Sequence, residues 1–310
     1  MTTLDAVSAY VPTTSVPIEA VMDPHGLDPT QTRVFRRFYG LDSVRVDPSA
    51  GLAEILLSAA RKLTALRGRE HLVRYVIAAR SMPHATPEPL NALPGICRSL
   101  GLGHACAFTV TQHACASGLL AVDLAGRLLA ADDDDGTLAL VLAGEKAFTP
   151  AAQFIPSTTV MGEGTAAVLV RRGGSSDRLL SYATCTRGEY NEWMSLTPEL
   201  ALRFQQEYPV LLGQVIRAAV RAAGLDLADI ALMLPHNVNR VSWARLCEQL
   251  GYPLDRVFLE NIPVTGHCFC ADPFINFQSA AEQGRLTPGD RYLMVAVGLG
   301  ANFSAMVLQH

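Results

Sequence analysis

The chain has 310 residues, of which 49% are hydrophobic and only 17% charged, with a formal net charge of −4. A chain of this length can bury a sizeable core without a metal or disulfide staple, and its composition excludes an intrinsically disordered protein. The mildly acidic balance excludes non-specific binding to a phosphate backbone, which needs clustered Lys and Arg. The charged fraction lies below the usual quarter, which predicts surface hidden in an assembly.

The start, Met1–Asp5, has neither a basic stretch nor an apolar signal segment. No apolar run reaches the roughly 18 residues of a spanning helix. Seven cysteines without a framework spacing read as reduced thiols. A soluble, cytoplasmic protein is therefore expected.

In chain order, β-rich runs bounded by Gly, Pro or charge predict strands at Leu72–Ala79, Leu138–Ala143, Thr165–Val170, Ile230–Leu234, Tyr292–Val297 and Phe303–Leu308. A further strand-like run is Val257–Asn261. Between them, Ala116–Ala131 carries only Asp123 and Arg127 as charges, so a helix there belongs inside the molecule. Asp132–Asp135 reads as a solvated turn. Arg203–Ala223 has apolar residues at helical spacing and stops at Gly224; a second helix runs from about Asn239 to Leu250 before Gly251. The alternation predicts α/β layers. Length alone suggests about two domains. Leu138–Gly144 followed by Gly164–Val170 is echoed by Tyr292–Gly300 followed by Phe303–Leu308, compatible with two copies of one α/β unit.

Chemistry concentrates at Val110-Thr-Gln-His-Ala-Cys115-Ala-Ser-Gly. A cysteine at a buried helix N-terminus meets unpaired N–H groups and the positive end of the macrodipole, which favour a thiolate; a small core thiol is the alternative. Pro235-His236-Asn-Val-Asn239 follows a predicted strand, and Thr265-Gly266-His267-Cys-Phe-Cys-Ala-Asp272 lies beyond Val257–Asn261. The turn Val297-Gly-Leu-Gly300 can aim a backbone N–H at a substrate oxygen.

With these pieces in this order, the chain resembles the thiolase superfamily, and within it the ketoacyl synthase III-like branch. Tyr10-Val-Pro, Tyr39-Gly-Leu, Ala114-Cys-Ala-Ser-Gly, Leu140-Val-Leu-Ala-Gly144, Met161-Gly-Glu-Gly-Thr-Ala-Ala-Val, Leu234-Pro-His-Asn-Val-Asn, Gly266-His, Pro288-Gly-Asp and Gly298–Gly300 carry it along nearly the whole chain. The resemblance implies a duplicated fold in five α-β-α-β-α layers, with an N-terminal half at 1–175 holding Cys115. The C-terminal half at 176–310 holds His236, His267 and Asp272. It also implies a homodimer, Cys115 as acyl acceptor, and an oxyanion hole from the N–H groups of Cys115 and Gly300. Asn239 resembles the family's pantetheine-contacting asparagine, the alternative being a helix cap. No permanently bound cofactor is expected; the acyl group arrives as a phosphopantetheine thioester of acyl carrier protein or CoA.

The family's condensing enzymes place a histidine and an asparagine beside the cysteine. His236 matches the first, and His267 stands in the asparagine position. Asp272 follows His267 by five residues; a carboxylate on an imidazole fixes its tautomer and raises its basicity. That suits a general base acting on a hydroxyl, amine or thiol. The pattern is closest to the ketoacyl synthase III-like acyltransferases of natural-product pathways, such as polyketide or antibiotic biosynthesis. Two rivals stand beside this reading: a decarboxylative condensing enzyme with a Cys-His-His site, and a non-catalytic ketosynthase partner. Thiolase is disfavoured because Val297 stands where a second cysteine is needed. For Asp272 the alternative is an N-cap of the following helix. His236 is either catalytic or pocket-lining.

His113, Cys115, His267, Cys268 and Cys270 lack zinc-site spacing, and Cys268 and Cys270 would face opposite sides of an extended segment, so no metal is expected. Gly162-Glu-Gly164 fits no phosphate-loop pattern. Tyr190 and Trp193 are candidates for lining an acyl pocket or for a bland loop. Arg240 and Arg245 are candidates for meeting an acidic carrier protein.

Overall fold

A computed structural model describes residues 1–82, 91–132, 134–192 and 196–310. Nine strands form one sheet: β1 (Thr2–Tyr10), β2 (Val73–Ala79), β3 (Cys106–Val110), β4 (Leu138–Gly144), β5 (Thr165–Arg172), β6 (Arg178–Thr186), β7 (Ile230–Leu234), β8 (Arg291–Gly298) and β9 (Asn302–Gln309). Six helices matter here: α1 (Leu52–Lys62), α2 (Leu93–Ser99), α3 (Ser117–Ala131), α4 (Pro198–Ala222), α5 (Arg240–Leu250) and α6 (Asp272–Glu282).

The spatial order is β7-β8-β9-β6-β1-β5-β4-β2-β3. On one side β2 and β4 are parallel, and β4, β5 and β1 antiparallel in succession. On the other, β7 and β8 are parallel, and β8, β9 and β6 antiparallel in succession. The two arms meet at β1 and β6 through the pair Thr3 and Arg178. This is the α/β, thiolase-like architecture.

Side-chain alternation builds the layers. In β4, Leu138, Leu140 and Leu142 face a cluster formed with α1 and α2, whereas Ala139, Val141 and Ala143 face the central one. In β8, Tyr292, Met294 and Ala296 face that same central cluster, and Leu293, Val295 and Val297 face α4 and α5. Strands buried on both faces read as continuous apolar runs. Helix α3 touches β2, β4 and β5 on one side and β8 and β9 on the other. It fills the middle layer, with α6 beside it.

The stretch Ala114–Ala131 is, by length and a mean hydropathy of 1.5, apolar enough to cross a membrane, contrary to the expectation that no run reaches that size. Asp123 and Arg127 interrupt it only by pairing with each other at 2.7 Å. Here its apolar surface is taken up between the two arms of the sheet. Two further expectations change. Val257–Asn261 is not a strand: a 3₁₀ turn at Leu254–Arg256 precedes it, a short helix at Ile262–Thr265 follows, and only Val257 bridges to Met233. The segment at Cys268 and Cys270 is not extended either, since Phe269–Ala271 forms a 3₁₀ turn with Phe269 at φ 55°. The long helix starts earlier than its periodicity indicated, at Pro198, and runs through Pro209. All seven cysteines are free thiols.

Candidate active site

The turn Ala114–Ala116 leads into α3, whose first N–H groups have no side-chain cap. Those groups and the helix dipole act on the region of Cys115. Cys115 is buried, packed with Ala147, Met161 and Phe269. A Cβ on Gly298 would lie 1.9 Å from the His113 carbonyl oxygen, so only glycine lets the terminal turn close onto the nucleophile. Ala114, Phe269 and Ala301 all have left-handed φ, at 46°, 55° and 58°. Each such non-glycine residue costs on the order of 1 kcal/mol or more; Ala114 precedes Cys115, Phe269 packs with it, and Ala301 lines the same cavity.

His267 is fixed from both sides of its peptide. Its N–H donates to the Val160 carbonyl at 3.0 Å, and the Gly162 N–H donates to its carbonyl at 2.9 Å. A Cβ on Gly162 would sit 2.1 Å from the Thr265 oxygen, which accounts for the glycine without a phosphate loop. The Nδ1 of His267 bonds Asp272 Oδ2. Asp272 is the first residue of α6, with Ala271 at the N-cap and no side-chain cap, so its carboxylate serves His267 rather than the helix. Four donors hold that carboxylate. Oδ2 takes His267 Nδ1 and the Asn237 N–H at 2.6 Å; Oδ1 takes the Cys268 N–H at 2.8 Å and Asn237 Nδ2 at 3.2 Å. Asn276 braces Asn237, donating to its Oδ1 at 2.8 Å and to the Pro235 carbonyl at 2.7 Å. Burial pulls the His267 pKa down, but the charges of Asp272 and Cys115 and their hydrogen bonds outweigh it, raising it to about 10.

His236 follows β7, its N–H donating to Val295 O at 2.9 Å and its carbonyl accepting Trp243 Nε1 at 3.0 Å. Its ring lies 5.9 Å from that of His267. The Nε2 is 3.2 Å from the Tyr208 hydroxyl, while Nδ1 is buried and has no partner among the described residues. Burial first, and then the His267 charge, push its pKa well below the usual histidine value.

Cys115, His236, His267, Asn239 and Gly300 all line one cavity of about 560 Å³, with Asp272 behind His267. Asn239 caps α5, its Oδ1 accepting the Ser242 N–H at 2.8 Å, and its Nδ2 donates to the Thr158 carbonyl at 3.0 Å. The cap alternative therefore holds, with the side chain still at the cavity wall. Tyr190 lines the cavity; Trp193 lies outside the described residues. Arg245 lines the cavity and is exposed, and Arg240 lies against Gly40. Among the described residues no three His, Cys, Asp or Glu side chains converge as a metal site.

Residues 220–310 match the family described as 3-oxoacyl-[acyl-carrier-protein] synthase III C terminal. A β-ketoacyl-[acyl-carrier-protein] synthase III of Streptomyces coelicolor is 24% identical over 271 residues, spanning 84% of this chain and 80% of that protein. The solved 3-oxoacyl-[acyl-carrier-protein] synthase III of Aquifex aeolicus superimposes with a TM-score of 0.84 over 100% of both chains at 22% identity. ChlB3, described as an acyltransferase, superimposes with a TM-score of 0.86 at 21% identity, covering 99% of this chain and 97% of its own. The chain thus shares the fold of these proteins along its whole length, and its C-terminal part is similar to the synthase III family.

Three polar residues of this site escape sequence reasoning. Asn237 holds Asp272 from 35 positions away, Asn276 braces Asn237 across 39, and Tyr208 reaches His236 across 28. Asn237 was within reach, since it sits inside the His236–Asn239 motif. Tyr208 reads as one more member of an apolar helix stripe.

Proposed function

We propose that the chain is an acyltransferase that carries an acyl group on Cys115 from a carrier-protein or CoA thioester to a hydroxyl, amine or thiol acceptor in secondary metabolism. The observation that carries this reading is the buried Asp272 carboxylate, filled by four donors and bonded to His267 Nδ1. Such a carboxylate fixes the tautomer and leaves Nε2 as the working nitrogen.

In the first step the Cys115 proton passes to His267, and sulfur attacks the thioester carbonyl. The N–H groups of Cys115 and Gly300 are the proposed donors to the tetrahedral oxyanion. Collapse breaks the bond to the pantetheine sulfur, which leaves with the His267 proton. Cys115 is now a neutral thioester, so one of the two charges that raised the His267 pKa is gone. The imidazole is thereby freed to take a proton from the acceptor as it attacks, and the second collapse returns the proton to Cys115. These steps need no resident cofactor. Asn239 and Arg245 are proposed to meet the pantetheine arm and the carrier. A cytoplasmic homodimer is proposed, formed at the β3 edge of the sheet, where Phe108 and Val110 are half-buried.

A second reading is decarboxylative condensation, favoured by the two histidine rings 5.9 Å apart on one cavity and by the synthase names of the relatives. Intact-mass spectrometry after incubation with a panel of acyl thioesters tests the first. It expects an acyl adduct on Cys115 that oxygen, nitrogen or sulfur nucleophiles discharge as an acylated product. An adduct discharged only by malonyl-carrier protein contradicts it.

A further inference from the structure

We infer that Tyr208 is a specificity-determining residue: its phenol occupies Nε2 of His236, so the donor offered to a bound acceptor is the Tyr208 hydroxyl and β-carboxyacyl thioesters are disfavoured as acceptors. The inference deepens the acyl-transfer reading and rests on it.

The geometry begins with placement. Tyr208 lies on α4 with its ring 5.7 Å from both Phe204 and Phe303, edge-on to the first and tilted to the second, and it lines the cavity. Its hydroxyl meets His236 Nε2 at 3.2 Å. The His236 ring is buried and packed edge-on between Trp243 and His267, at 5.2 and 5.9 Å, which leaves the imidazole little room to turn elsewhere. Burial keeps Tyr208 protonated, its pKa raised first by desolvation and then by the Cys115 charge, and it keeps His236 neutral.

A neutral imidazole has a single N–H. Because Nδ1 is buried and has no partner among the described residues, a proton there would be an orphaned donor, which costs more than an orphaned lone pair. The proton therefore sits on Nε2 and donates to the Tyr208 oxygen. The phenol O–H then remains for the cavity, displaced from the imidazole by the length of that bond.

Decarboxylation of a malonyl thioester breaks the bond from the α-carbon to the carboxylate and releases carbon dioxide. The electron pair moves into an enolate whose oxygen needs donors beside Cys115. The enolate carbon then attacks acyl-Cys115, and the thiolate leaves. With Nε2 of His236 committed to Tyr208, one of the two imidazole donors for that enolate is withdrawn.

The test uses the full chain and Tyr208→Phe, which keeps the ring and removes the hydroxyl. Each is preloaded with an acyl group on Cys115 and offered malonyl-CoA together with N-acetylcysteamine as a thiol acceptor. The readout is the ratio of carbon dioxide released to acyl group transferred, which a loss of folded protein does not move because both products draw on the same acyl-enzyme. In Tyr208→Phe the ratio is expected to rise by about tenfold, the worth of one hydrogen bond at the transition state. Adding His236→Ala is expected to abolish the rise. An unchanged ratio in Tyr208→Phe, or a rise that survives His236→Ala, overturns the inference and leaves the acyl-transfer reading standing. Carbon dioxide release by the unsubstituted chain at a rate matching transfer overturns the acyl-transfer reading, and this inference with it, before any substitution is compared.

Discussion

Asn237 holds Asp272 twice, through its backbone N–H at 2.6 Å to Oδ2 and its side-chain Nδ2 at 3.2 Å to Oδ1. Both residues have no solvent exposure. The residue next to His236 thus orients the carboxylate that orients His267, tying the two histidine loops into one unit. Asn237→Ala removes the side-chain bond and leaves the backbone one. It also leaves one of the two Asn276 amide N–H groups without its acceptor, the other keeping the Pro235 carbonyl. Expected outcomes are a loss of about 1–3 kcal/mol of stability and a transfer step slowed by about tenfold. Thermal melting and single-turnover discharge of acyl-Cys115 measure the two effects.

Asp272→Asn is a harsher change than its size implies. All four groups on the carboxylate are donors, so the new amide N–H₂ must face donors wherever it points. The variant is expected to melt lower, by roughly 1–3 kcal/mol of stability. Transfer to the acceptor should fall on the order of 10³-fold, through loss of the tautomer, while loading of Cys115 falls less. Loading has the α3 N-terminus behind it as well as His267. Equal losses in the two steps, read by rapid-quench mass spectrometry, count against a separate base role for the His267–Asp272 pair.

What the sequence discloses and what it hides follow one rule. Cys115, His236 and His267 stand in short motifs whose function is local, and they meet in the same cavity in space. Strands such as Leu138–Gly144 and Arg291–Gly298 are legible because they are apolar on both faces. Tyr208 is not legible, because its polar role appears only once α4 is laid across β6 and β9 and reaches the loop after β7, and its 3.6-residue spacing is that of an ordinary core residue. The false strand at Val257–Asn261 failed for the opposite reason. Its composition is β-like, but Pro253 and Pro263 bracket it with turns that leave one residue free to pair.

The two histidines shift in opposite directions, and stability should follow. His267 has a folded pKa raised to about 10, so its contribution is complete below the unfolded value of about 6.5 and is lost as pH rises through about 10. His236 has a folded pKa lowered well below that value, so its contribution is present above about 6.5 and is lost as pH falls. Melting temperature against pH for His236→Gln should lose part of the acid limb, and for His267→Gln part of the alkaline limb. Identical profiles for the two variants contradict these protonation states.

Gly298→Ala tests the approach of the terminal turn. With the new Cβ only 1.9 Å from the His113 oxygen, the turn or the nucleophile loop must shift. A cost of about 1–3 kcal/mol is expected, as for overpacking, together with a slower loading of Cys115. Gly300→Ala is the comparison, since its nearest neighbour would be 3.7 Å away, although its φ of 80° still strains an alanine. The expected order of melting temperature is Gly300→Ala above Gly298→Ala.

The most direct test of the central claim is a carbon balance on pre-acylated protein. Cys115 is loaded with an acyl group from a thioester, excess donor is removed, and malonyl-carrier protein is offered in one reaction and a panel of hydroxyl, amine and thiol acceptors in another. Acyl transfer predicts an acylated acceptor in the second reaction, with a rate that falls in Asp272→Asn, and carbon dioxide release in the first that is slow beside that transfer. Carbon dioxide release with a β-ketoacyl product in the first reaction, and none of the acceptors acylated in the second, would show a condensing enzyme instead.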